Sequence, residues 1–193
     1  MRRPQPEERL VAPPDRLRVT PFVSEADFLG MVEYFLTADE AFLRGMGVDP
    51  NKLPRREAWL ERLLPDLRRL DRDKQTFYLG WDCDGVRVGH CNVNPLVHGE
   101  HACVHLHLWD AHARRAGLGT ELLRRSIRVF FQRFDLRSLY CEPYAENPAP
   151  NRVLIKAGFR FLKRYRTTPG LINFEQAVNR YALDRSALGD LGA

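Results

Sequence analysis

Nowhere in these 193 residues is there an apolar run long enough to span a membrane. The opening Met1-Arg2-Arg3-Pro4-Gln5-Pro6-Glu7-Glu8 also lacks the apolar stretch of a signal peptide. A cytoplasmic protein with no membrane partner is expected. Cysteine is scarce, and the four residues at 83, 91, 103 and 141 have none of the short paired spacings that zinc sites use. Three of them fall in apolar, strand-like segments, so they read as small reduced core residues and no metal is expected. No run of Lys and Arg interleaved with aromatics appears, which argues against a nucleic-acid partner. Internal repeats and low-complexity segments are missing too.

What is present fits one domain with a sizeable core. Residues up to about Pro14 are polar and proline-punctuated and read as a loose arm, with the folded domain spanning 15–193. The net charge of +5 is unevenly placed: Met1–Lys74 carries 14 basic and 14 acidic residues, Gln75–Ala193 carries 16 and 11. An anionic ligand of the second half is the expectation.

Along the chain, Leu17–Thr20 alternates as a strand, and Ser24-Glu25-Ala26-Asp27 reads as a capping box ahead of helically spaced Phe28, Met31, Val32 and Phe35. From Asp39 to Leu70 the pattern is helical but broken by Gly45, Gly47, Pro50 and Pro65; the stripe Trp59, Leu60, Leu63, Leu64, Leu67 reads as core rather than as a ligand box. Two strands, Phe77–Trp81 and Val86–Val93, meet across an Asp84-Gly85 hairpin signal. A polar loop from Asn94 to His101 then leads to a strand ending at Trp109. After Gly117 and Gly119 comes an amphipathic helix, followed by a strand over Ser138–Glu142. A short helix from Pro148 to Lys156 and a hairpin of Phe159–Arg166 with Asn173–Leu183 close the chain. This order predicts an α+β fold with a central mixed sheet, the Ser138 strand parallel to its predecessor.

The chemistry concentrates between Val104 and Thr120. An alternating strand runs through a loop into Arg114-Arg115-Ala116-Gly117-Leu118-Gly119-Thr120, two glycines in a basic turn that opens a helix. Unsatisfied N–H groups, the positive end of the helix dipole and glycines that admit close approach make such a turn a phosphate cradle.

Arg114-Arg115-Ala116-Gly117-Leu118-Gly119 resembles the Arg/Gln-x-x-Gly-x-Gly/Ala signature of the GCN5-related N-acetyltransferases (GNAT). Glu146-Asn147 with Arg152-Val153-Leu154-Ile155-Lys156-Ala157-Gly158-Phe159 resembles their second motif, about 30 residues on. The likeness runs from Leu17 to Leu183 and has the flavour of the ribosomal-protein N-terminal acetyltransferase branch. It implies a mostly antiparallel sheet with one splayed parallel pair, helices on both faces, and acetyl-CoA as cosubstrate. The pyrophosphate would lie on Arg115, Ala116, Gly117, Leu118, Gly119 and Thr120, with Arg114 nearby. The pantetheine would pair with backbone at Leu108 and Trp109 and with Asn147, assisted by Asn151; helix capping is the competing role for both asparagines.

In such enzymes a neutral amine attacks the thioester directly, so a base is needed. His105 and His107 share a strand face opposite Val104, Leu106 and Leu108, and are the candidates for base or proton relay. Pairing with the His90-x-Asn92-x-Asn94 face of the preceding strand is the alternative, and Glu142 is a second candidate base or a solvated strand end. Two positions depart from the family: Leu154 stands where many members have a tyrosine acid, and Pro150 where the branch often has serine. The implied activity is acetyl transfer to a primary amine, a protein N-terminus or a small molecule. A catalytically weak acyl-CoA-binding regulator is the other reading.

Overall fold

The computed structural model describes residues 16–110 and 117–191. Its centre is a seven-stranded sheet in the order β1-β2-β3-β4-β5-β7-β6, built from β1 (Leu17–Pro21), β2 (Phe77–Cys83), β3 (Val86–Val97), β4 (His101–Leu108), β5 (Ser138–Cys141), β6 (Arg160–Thr167) and β7 (Gln176–Asp184). Every neighbouring pair is antiparallel except β4 with β5. The α+β class and the parallel crossover are as the element order predicts.

Helices cover both faces. On one, α4 (Leu118–Phe134) and α5 (Pro148–Lys156) pack on the sheet, with Leu122, Leu123, Ile127, Phe130 and Phe131 of α4 sealed from solvent. Each such side chain contributes about 1.5–3 kcal/mol of burial. On the other, α1 (Glu25–Leu36), α2 (Glu40–Gly45) and α3 (Arg56–Leu63) form a second apolar cluster around Phe28, Met31, Val32 and Phe35. Pro65 stops α3, and the chain continues as a 3-10 turn over Leu64–Arg68.

Local signals shape the elements as read. Ser24 caps α1 reciprocally with Asp27, whose carboxylate accepts from the Ser24 N–H at 3.0 Å. Asp84 and Gly85 both take positive φ, 53° and 78°, as the two-residue turn of a right-twisted hairpin requires. Gly80, lacking a side chain, leaves room for the guanidinium of Arg87, which ties Asp82 at 2.6 Å to Asp27 at 3.0 Å and so docks α1 on the sheet.

The segment after β3 differs from expectation. Asn94 to Val97 is strand, not loop; a bulge between Val93 and Leu96 absorbs Pro95, and pairing with β4 resumes at Leu96–Ala102. Only His98 to Glu100 separate β3 from β4, and β4 ends at Leu108 rather than at Trp109. β7 likewise begins at Gln176, three residues later than the pattern suggests. The expected N-terminal arm, 1–14, lies outside the described residues.

Candidate active site

The site begins with a mismatch in length. β4 pairs with β5 over only three residues, His101–Ser138 to Cys103–Tyr140, while β4 continues to Leu108 and β5 stops at Cys141. The two parallel strands therefore fork. The Trp109 N–H donates to the Val88 carbonyl at 2.8 Å, and the ladder's alternation then turns the backbone groups of Val104, Leu106 and Leu108 toward the fork. The Trp109 amide is thus bonded to β3, and the strand edge turned toward the fork is that of Val104, Leu106 and Leu108.

A cavity of about 1010 Å³ passes through the fork. On the α4 side it is lined by Gly119, Leu108, Val153, Asn147 and Pro150; on the other by Tyr34, Phe35, Trp59, His90, His105 and His107. Gly119 keeps the passage open, since a Cβ there would stand 3.0 Å from Leu108 Cδ1. Gly117 takes φ of 76° at the head of α4, followed by Leu118, Gly119 and Thr120 in the first turn. Arg114, Arg115 and Ala116 lie outside the described residues.

Asn147 lines the cavity and caps α5, its Oδ1 accepting from the Ala149 N–H at 3.3 Å. Asn151 is different. It is buried, and its Nδ2 donates to the carbonyls of Tyr144 and Asn147 while its Oδ1 accepts from Asn179 Nδ2 and Tyr181 Oη. Its hydrogen-bonding capacity is used by the protein, and it does not line the cavity. It braces the β5–α5 turn that presents Asn147. Leu154, at the position where many relatives carry a tyrosine, is fully buried among the core side chains.

The histidines occupy two rows across the sheet: Asn92 opposite His105, and His90 opposite His107. His105 Nε2 lies 2.8 Å from the Asn94 carbonyl, which only accepts, so Nε2 carries the proton and a neutral His105 keeps its lone pair on Nδ1. Burial lowers its pKa, opposed by the Asn94 carbonyl and the Glu142 charge. His105 is thus neutral at physiological pH. His107 stacks on His90, ring centroids 4.9 Å apart, and meets Phe35 and Tyr34 edge-on at 5.1 and 5.7 Å.

His90 is fully buried and accepts the Trp109 Nε1–H on Nδ1 at 2.8 Å. Burial drives its pKa well down, reinforced by His107, His105 and Arg87, so it stays neutral. Trp109 in turn stacks on Tyr34 and presses on Gly30. The row pairs with the polar face of β3 as a packed layer, and that layer faces the cavity.

Glu142 is no solvated strand end. Its carboxylate accepts from Arg180 at 2.8 Å and from the Tyr165 hydroxyl, and the side chain is 14% exposed. With both partners in place it acts on His105 as a nearby negative charge. Among the described residues no group of three metal-ligating side chains converges, and no helix is long and apolar enough to cross a membrane.

Residues 16–160 match the family model described as the acetyltransferase (GNAT) domain. The chain belongs to the GNAT family. As such it is an acetyl-CoA-dependent N-acetyltransferase. Solved structures with the same fold include RimL, a ribosomal L7/L12 α-N-protein acetyltransferase in complex with coenzyme A: TM-score 0.73, 16% identity, 90% of this chain and 97% of that one. Spermidine N-acetyltransferase from Vibrio cholerae in complex with CoA and spermine gives a TM-score of 0.71 at 15% identity, over 89% and 97% of the two chains. The microcin C7 self-immunity acetyltransferase MccE, in complex with acetyl-CoA and AMP, gives 0.68 at 11% identity, over 86% and 92%. No curated protein matches this GNAT chain in sequence.

In families built like this one the helices before the second strand often wall the substrate groove, and Trp59 of α3 does line the cavity here. Helical spacing groups Trp59 with its apolar neighbours, but spacing cannot say whether a shared face meets protein or a cavity. The Arg180–Tyr165 clamp on Glu142 joins residues 23 and 38 positions away and left no local signal.

Proposed function

We propose that this GNAT protein transfers the acetyl group of acetyl-CoA to a primary amine by direct attack, with His105 as the base. The carrying observation is the continuous cavity through the β4–β5 fork, with the head of α4 on one side and the histidine layer on the other. The CoA pyrophosphate rests on the first-turn N–H groups of α4 from Gly117 to Thr120. The pantetheine enters the fork beside Leu106 and Leu108 as an added strand, within reach of Asn147. The acceptor enters from the aromatic side as its ammonium and gives one proton to His105 Nδ1, directly or through one water, leaving the neutral amine.

The amine nitrogen then bonds to the thioester carbon, and a β4 backbone N–H at the fork holds the developing oxyanion. Collapse breaks the C–S bond, and the proton given up by the nitrogen, cationic after attack, passes to the departing thiolate through Tyr144, which lines the cavity, or through water, leaving the neutral amide and the CoA thiol. Supporting this reading are the tautomer and lowered pKa of His105. Protein N-termini and small amines are both acceptors that such a site can serve.

The buried Leu154 favours a second reading, an acyl-CoA-binding protein with weak turnover. Thiol release from acetyl-CoA with a panel of amines separates the two. Transfer predicts amine-dependent release, and His105→Gln lowers kcat by about 100-fold or more, as loss of a general base does, with acetyl-CoA affinity kept. The acid limb of the wild-type pH profile falls below the usual imidazole value, because protonated His105 has no lone pair, and His105→Gln abolishes it. Tight acetyl-CoA binding without release for any amine favours the second reading.

A further inference from the structure

The acceptor side of the cavity carries a charge pattern that selects among amines. Its wall is aromatic: Tyr34, Phe35, Trp59 and Tyr78 line it, with Trp59 and Phe35 rings 5.5 Å apart. Two carboxylates line the same cavity, and both are already answered. Asp66 accepts from the Thr76 hydroxyl and faces Arg69 at 3.4 Å; Glu142 is held by Arg180 and Tyr165. A polycationic acceptor would have to displace these partners to gain a counter-charge.

Besides Arg69, two further lining cations are in the opposite state. Arg62, one turn beyond Trp59 on α3 and on the same helix face, is exposed and forms no ion pair with any described residue. Lys52 donates to the Asn173 carbonyl at 2.7 Å and likewise has no carboxylate partner among the described residues. An aromatic wall that shares its cavity with two uncompensated cations is complementary to an apolar body bearing a negative charge.

We propose that the acceptor is a primary amine on an aromatic or bulky apolar body that ends in an anion, with Trp59 and Phe35 receiving the body and Arg62 and Lys52 the anion. This rests on the transferase reading above and narrows it. Tyramine, O-phosphotyramine and spermidine serve as probes in the thiol-release assay, with acetyl-CoA binding followed separately by calorimetry. The expected order of kcat/KM is O-phosphotyramine above tyramine by about tenfold, the effect of one good charge contact, with spermidine lowest. Added salt compresses that ratio.

Arg62→Glu brings the ratio near one by raising KM for O-phosphotyramine, and Arg62→Lys largely restores it. Spermidine as the preferred acceptor, or a ratio insensitive to Arg62→Glu, overturns the acceptor inference and leaves acetyl transfer standing. Turnover of none of the three, with acetyl-CoA still bound, overturns the acceptor inference, whereas the transferase reading falls only if the wider panel of amines also gives no thiol release.

Discussion

At the scale of single residues, the protein spends burial to keep imidazoles neutral. His90 and His105 both have pKa values lowered by desolvation, so the unfolded chain binds more protons than the folded one once pH drops below about 6.5, the ordinary histidine value. Stability is then fully present above that pH and declines as pH falls toward the depressed folded values, by up to about 1.4 kcal/mol per pH unit for each histidine. Denaturant unfolding at pH 7.5 and pH 5.5 measures the slope. His90→Gln, whose amide oxygen can still accept from Trp109, should reduce it; equal slopes in the two proteins would remove His90 as the cause. The histidine pair stood out in the sequence because strand alternation puts 105 and 107 on one face. The role of His90 did not, since its hydrogen bond to Trp109 crosses from β3 to the end of β4.

At the scale of elements, the fit of β3 against β4 positions the chemistry. Gly89 faces Leu108 across the ladder, and a Cβ there would stand 2.3 Å from the His107 carbonyl oxygen and 3.2 Å from Leu108 Cα. These are backbone atoms and cannot swing aside. Gly89→Ala should therefore push β4 away, costing about 1–3 kcal/mol as overpacking does and lowering kcat more than it weakens acetyl-CoA binding. Unfolding and steady-state measurements on one variant check both effects; wild-type kcat would show that the fork does not depend on this contact. Elements were legible wherever a short-range signal encodes them: the Ser24–Asp27 box, the Asp84-Gly85 turn, the apolar face of α4. The β3 extension was not, because Pro95 breaks the local pattern and only the bulge, a property of two strands together, shows how the sheet accommodates it. The cavity belongs to the same class, since it exists only where β4 outlasts β5 and where α1 and α3 stand over the gap.

At the scale of the molecule, the sheet is a partition opened at the β4–β5 fork, and the two substrates of the proposed reaction reach that opening from opposite faces. Neither has to vacate the site before the other enters, and no cysteine is poised to hold the acetyl group in between: burial pushes the Cys103 thiol up to about 12 and the Cys141 thiol well above its usual range. Initial rates measured against acetyl-CoA at several fixed amine concentrations should therefore give intersecting reciprocal lines. Parallel lines, or a burst of CoA released before any amine is added, would contradict it. A partition opened at the fork also makes the order of loading a matter of geometry: an amine covalently joined to the sulfur of CoA would fill both faces at once and should compete with acetyl-CoA and with the amine alike.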